Sequence, residues 1–313
     1  MASPSDLFTI PFDDWVSYIV KDVLVPNLRS TFDLIKWPID QTLNGLESLL
    51  LAIPMLVFLV LLTAVAWRAA GRGVAIFTFI SLVFLDLIEI WPETMTTLSM
   101  IITAVVFCAI VGVPVGIAAS RSDKVADIVR PILDIMQTIP PFVYLVPIVM
   151  LFGVGMVPGV IATIIFALPP IIRLTNLGIR QVQASLVEAA YAFGATPKQV
   201  LWDVQVPLAL RTIMAGLNQT LMLALSMAVI AALIGAGGLG LTVFTGLGRL
   251  DVGAATEGGI GIVLLAIILD RITQAMGEND PGERRSFRKV FKSMFNMSNQ
   301  TEDSGAQAQE KAS

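Results

Sequence analysis

From Met136 to Ile172 the chain carries no charged residue at all. That is longer than the roughly 20 apolar residues one helix needs to cross the hydrocarbon core of a bilayer. Gly153-Val-Gly155-Met-Val-Pro158-Gly159 falls inside the stretch, and Gly and Pro punctuate helices. The stretch therefore reads as two membrane helices in succession. Similar runs recur along the chain: Leu49–Trp67, Val74–Trp91, Met95–Ala119, Thr212–Ile234 and Gly258–Leu269. The pattern predicts an all-α integral membrane protein with about seven spans.

Composition agrees. Of 313 residues, 56% are hydrophobic and 14% charged, with a mean hydropathy of +0.81. Soluble domains carry about 25% charged residues. No histidine is present and Cys108 is the one cysteine. Ser-His and Cys-His catalysis are thereby excluded, as are His/Cys metal clusters and any disulfide within the chain. Cys108 lies in an apolar run and reads as a small buried hydrophobe. No phosphate-binding Gly-x-x-x-x-Gly-Lys-[Ser/Thr] loop occurs, so the chain cannot hydrolyse ATP by that route. The start, Met1-Ala-Ser-Pro-Ser-Asp6, lacks the basic region of a cleavable signal peptide.

Charge sorts along the chain, and cytoplasmic loops are enriched in Lys and Arg. With Arg68 and Arg72 placed inside, the alternation of spans also places Arg121, Lys124, Arg130, Arg173, Arg180, Lys198, Arg211 and Arg271 inside. The acidic N-terminus then falls outside and the basic C-terminal tail inside. Three regions follow: an extracytoplasmic segment 1–48, a membrane domain 49–272 and a cytoplasmic tail 273–313. Trp15, Ile19, Val23, Leu28, Phe32 and Ile35 recur at roughly helical spacing, interrupted by Pro26, and predict helices lying on the outer membrane surface. Arg284–Phe295 is basic and amphipathic and suits the anionic inner surface. Residues 297–313 have the composition of a disordered segment.

The loop Arg173–Arg211 is the longest cytoplasmic connection. Ser185-Leu-Val-Glu188 reads as a capping box opening a short helix, and Ala189 and Ala190 keep that helix slim. Gly194 supplies the left-handed residue past its end. Thr196-Pro197-Lys-Gln199 reads as a second capping box with Pro at the first helical position. A short amphipathic helix to about Val204 is expected, with Pro207 before the next span. Two short helices bent at a glycine and offered to the cytoplasm have the form of a docking element.

The pattern Glu188-Ala189-Ala190, Gly194, Val204, Val206-Pro207 resembles the EAA loop of ABC importer permeases, with Val where that family has Ile and Leu. Gln137–Pro147, Phe166–Arg173, Asn218–Ser226, Gly248–Asp251 and Leu265–Arg271 resemble the glycine betaine/proline betaine permeases, over roughly residues 95–275. The resemblance implies the type I importer fold in the bacterial inner membrane, with a quaternary-ammonium substrate. It implies no cofactor in this chain and ATP-Mg in a partner ATPase docked on the loop. It also implies an extracytoplasmic substrate-binding protein and a second permease copy. No nucleic-acid partner is expected.

Several polar residues stay open to two readings. Asn218, Gln219, Thr220 and Ser226 either hydrogen-bond between helices or line the translocation path, to which Tyr144 is also assigned. Asp86 and Glu89 read as interfacial carboxylates. Arg249 and Asp251 read as a loop ion pair. A stand-alone secondary transporter or channel is the alternative to the importer; such proteins need paired charges or broken helices near the midplane.

Overall fold

The computed structural model describes residues 25–277, together with Trp15 and Tyr18. The remaining residues of the predicted outer-surface region and the whole basic tail lie outside the described residues. Within them the chain is helical throughout: α1 Val25–Ala52, α2 Met55–Ala70, α3 Arg72–Leu87, α4 Trp91–Arg121, α5 Asp123–Thr138, α6 Pro141–Phe152, α7 Met156–Arg180, α8 Ala184–Ala192, α9 Pro197–Ile234, α10 Leu239–Arg249 and α11 Val252–Gly277.

Four helices are long and apolar enough to cross a bilayer alone: α4, α7, α9 and α11. The helix from Thr31 to Ala52 meets α2 at 107°, and α5 meets α6 at 101°. Prolines account for both breaks. Pro54 disfavours the helical conformation at Ile53, so the first apolar helix begins at Met55 and not at Leu49. Pro140 and Pro141 supply no N–H and end α5 at Thr138. The span expected to begin at Met136 is therefore a broken one, and α6 with its 12 residues is only about 18 Å long.

The centre of the bundle is α7, the most buried of the four long helices. It is packed by close approach of small residues, the usual device where lipid removes the hydrophobic drive between helices. Gly112 and Gly116 of α4 lie one turn apart on α7. A Cβ at Gly116 would stand 2.9 Å from the Ile172 carbonyl oxygen and 2.6 Å from Thr175 Cβ. On the other side Gly216 of α9 lets that helix reach the backbone of Pro170 and Ile171. Cys108 is 0% exposed, as its apolar setting predicts.

The end of the bundle away from α8 is stitched by hydrogen bonds. Leu239 N–H donates to Thr97 Oγ1 at 2.7 Å, and Gly155 N–H to the Ile234 carbonyl at 2.8 Å. Across this end lies α1. Its Ile39 and Leu43 bury against Met100, Val157 and Val160, and Thr96 donates to Glu47 Oε1 at 2.9 Å. The α2–α3 hairpin packs peripherally on α11, with Leu56, Val60, Ile76 and Ile80 all exposed.

Candidate functional site: an exposed helical corner

Between α7 and α9 the chain leaves the bundle and returns through α8. The turn after α8 is closed by two hydrogen bonds: Gly194 N–H to the Tyr191 carbonyl at 2.9 Å and Ala195 N–H to the Ala190 carbonyl at 3.1 Å. This is the Schellman arrangement, which needs a left-handed residue at its second-last position, and Gly194 has φ +84°. The reading of Gly194 holds. So does the second capping box. Thr196 N–H donates to Gln199 Oε1 at 2.8 Å and Gln199 N–H donates to Thr196 Oγ1 at 3.4 Å, with Pro197 at the first helical position.

Two local readings need correction. The first capping box does not form: α8 starts at Ala184 after Gln183, no side chain caps it, and Ser185 lies one residue inside the helix with Glu188 in the middle. Val182 N–H to the Ile179 carbonyl holds a turn immediately before α8, so entry is set by backbone and not by the serine. Nor is there a short helix ending near Val204. The chain continues from Pro197 to Ile234 as one helix of 38 residues, widened to a π-turn at Val200–Gln205. Val206 N–H reaches back to the Leu201 carbonyl, five residues away. Pro207 explains the widening: it has no N–H, and in a regular helix its ring would strike the Asp203 carbonyl.

The corner is open to solvent. No residue of α8 is buried; Ser185, Glu188, Ala189, Gly194, Thr196, Pro197 and Pro207 are exposed, and Ala190 is half-buried. At its tip Phe193 is 93% exposed, with Tyr191 and Leu186 beside it. Phe193 is inconspicuous in sequence, because one aromatic among alanines looks like packing, and it is the fold that leaves it uncovered among the described residues.

The path candidates divide. Asn218 is turned inward: its Nδ2 donates to Asp270 Oδ1 at 2.7 Å, and Thr273 Oγ1 donates to its Oδ1 at 2.7 Å. It joins α9 to α11. Thr220 is 0% exposed. Gln219 and Ser226 instead lie on an exposed stripe of α9 with Ala215, seven and four residues apart along the helix face. Ser226 Oγ donates back to the Met222 carbonyl at 3.0 Å. Tyr144 is half-buried and donates to the Met136 carbonyl that Pro140 leaves without a helical partner. Asp86 and Glu89 are exposed at the end of α3. Arg249 and Asp251 form no ion pair; Asp251 Oδ1 accepts from Ala254 N–H at 3.2 Å and so caps α11.

Among the described residues no group of three or more acidic, His or Cys side chains could hold a metal ion. Comparison with known proteins gives the corner its context. Residues 112–278 match the family described as binding-protein-dependent transport system inner membrane component. The chain is 55% identical to the glycine betaine/proline betaine transport system permease protein ProW of Escherichia coli K12, over 88% of this chain and 78% of that protein. It is 47% identical to the glycine betaine transport system permease protein OpuAB of Bacillus subtilis 168, over 85% of this chain and 94% of that one. A chain of the MetNI methionine ABC transporter in an inward-facing conformation superposes with a TM-score of 0.53 at 25% identity, covering 62% of this chain and 94% of that one. An all-helical membrane bundle, an exposed corner between its two central helices and these likenesses agree: the chain belongs to the binding-protein-dependent transport system inner membrane components, the permease subunits of ABC importers.

Proposed function

We propose that the chain moves a quaternary-ammonium osmolyte, such as glycine betaine or proline betaine, into the cell. Two copies form one pathway, and each docks one ATPase through residues 173–211. The substrate class rests on the 55% identity to a permease named for those betaines. Membership of the importer family removes the stand-alone secondary transporter. ATP is hydrolysed by a separate subunit, where Mg-ATP binds, and a binding protein delivers the solute from outside.

The observation that carries the coupling is the corner itself. Its exposed face, Glu188, Ala189 and Phe193, is continuous through Gly194 with the 38-residue α9. A helix of that length is about 57 Å long, enough to reach from a cytoplasmic partner through the bilayer. Movement at the corner then tilts α9 as a lever, and the exposed stripe bearing Gln219 and Ser226 moves with it. Seven spans, counting α2, α3 and the broken α5–α6 pair, put the N-terminus outside and the C-terminus inside. Residues 1–48 and 273–313 serve as the flanking outer and inner segments, and α1 lies along the outer surface.

Glu188→Lys is expected to release the ATPase while the permease stays in the membrane. Affinity purification of the complex from its native membrane checks this, and unchanged recovery of the ATPase sinks the docking role. Uptake of radiolabelled glycine betaine by the reconstituted complex, competed by proline betaine, tests the substrate class; no ATP-dependent uptake would reject it.

A further inference from the structure

Arg180 ends α7, immediately before the turn into α8, and each nitrogen of its guanidinium makes a hydrogen bond. Nη1 donates to Asp123 Oδ1 at 2.8 Å, Nη2 to the Ala119 carbonyl at 2.7 Å, and Nε to Asn176 Oδ1 at 2.9 Å. Asp123 opens α5, and Ala119 lies in the last turn of α4. The Ala119 carbonyl is one of the four that a helix leaves unpaired at its C-terminus, where a cation is also favoured. Three acceptors on three helices fit the planar fork of an arginine and not the single ammonium of a lysine. Beside this fork lies a groove of about 230 Å³ lined by Ser120, Arg121, Ile179, Arg180, Tyr191 and Gln205. It is the place where the ends of α4 and α7 meet α8 and the start of α9.

We propose that Arg180 is a positioning residue for transport: it makes the α4–α5 corner follow the docking loop. The proposal rests on the reading of residues 173–211 as that loop. When the partner displaces α8, the end of α7 moves with it. The Arg180 fork then carries the α4 terminus and the first turn of α5 in the same step. Without it α5 is tied to α7 near the loop by Arg173 and Asp134, 2.5 Å apart, and α4 by its packing at Gly112 and Gly116, which lies before its terminal turn. The fork contributes geometry more than stability. The Asp123 side chain is 82% exposed and that of Arg180 35%, and ion pairs so open to water stabilise little. Arg180 variants are therefore expected to fold.

The test is the number of solute molecules imported per ATP hydrolysed. It is measured on the full complex of permease, ATPase and binding protein in liposomes, with glycine betaine as probe. Arg180→Ala should keep its ATPase bound and hydrolysing, while import per ATP falls about fivefold or more, the lower edge of ordinary coupling between sites. Arg180→Lys should recover only part of the ratio, and Asp123→Asn should lower it by less. A merely structural role would lower import and hydrolysis together. An unchanged ratio in Arg180→Ala overturns the proposal, and so does release of the ATPase, which would make Arg180 a docking residue. If Arg180→Ala does not assemble, an unchanged ratio in both Arg180→Lys and Asp123→Asn overturns it. A wild-type complex that imports no betaine would instead reject the substrate reading.

Discussion

At the level of one side chain, Asn218 is claimed by a neighbouring helix. Its two hydrogen bonds cross from α9 to α11, and both partners have other bonds. Asp270 Oδ1 also accepts from Gln274, and the single hydroxyl proton of Thr273 can turn to the Leu269 carbonyl, 2.8 Å away. Asn218→Leu therefore orphans nothing and removes about 1 kcal/mol, the usual size of an interhelical hydrogen bond in a membrane. The expected outcome is a lower melting temperature of the purified permease with an unchanged apparent KM for import. A raised KM would return Asn218 to the pathway. Asn218 and Gln219 are neighbours of the same polar type, and sequence alone could not assign them to different faces. Only the rotation of α9 against α7 and α11 sends one inward and the other out. Gly194, in contrast, was legible, because a glycine nine residues into a helical stretch and just before Thr-Pro has few roles other than a left-handed turn.

At the scale of elements, the chain from Pro197 onward and the transmembrane helix are one rod. The π-turn at Val200–Gln205 accommodates Pro207, which donates no hydrogen bond, without ending the helix, and on the proposed coupling force at Thr196 would pass to the span. Inserting two glycines between Gln205 and Val206 should make that joint flexible. The ATPase should still co-purify, and import should fall about fivefold or more, as expected for loss of coupling between sites. Full activity in that variant would show that α9 does not act as a lever. Pro207 looks like a helix start in sequence, because proline favours the first turn and cannot continue a regular ladder. The same two properties are accommodated by a widened turn when packing holds both sides in line, and here Val200 and Leu201 are buried on the helices beneath. The opposite error occurred at Pro140-Pro141, where an unbroken apolar run concealed a 101° bend.

For the whole molecule, the direction through the membrane can be tested at two exposed points on opposite ends. Val154, in the turn between α6 and α7, is 74% exposed, and Phe193 is 93% exposed. The native Cys108 is buried and gives little background. A membrane-impermeant thiol reagent should label Val154→Cys in intact cells and Phe193→Cys only after the membrane is opened; the reverse pattern would invert the topology. Sequence by itself determined the membrane class, the sorting of charge, the glycine turn, the Thr196 cap and the family resemblance. These depend on hydrophobic length, net charge and local hydrogen bonds, each confined to a short window of chain. Tertiary structure decided the rest: which apolar runs are broken, which polar side chains face a neighbour, that Phe193 stands free, and that Arg180 ties three helices together. Those outcomes depend on partners far apart in the chain. Arg180 and Asp123 are separated by 57 residues and meet only because Gly112 and Gly116 let α4 lie close against α7.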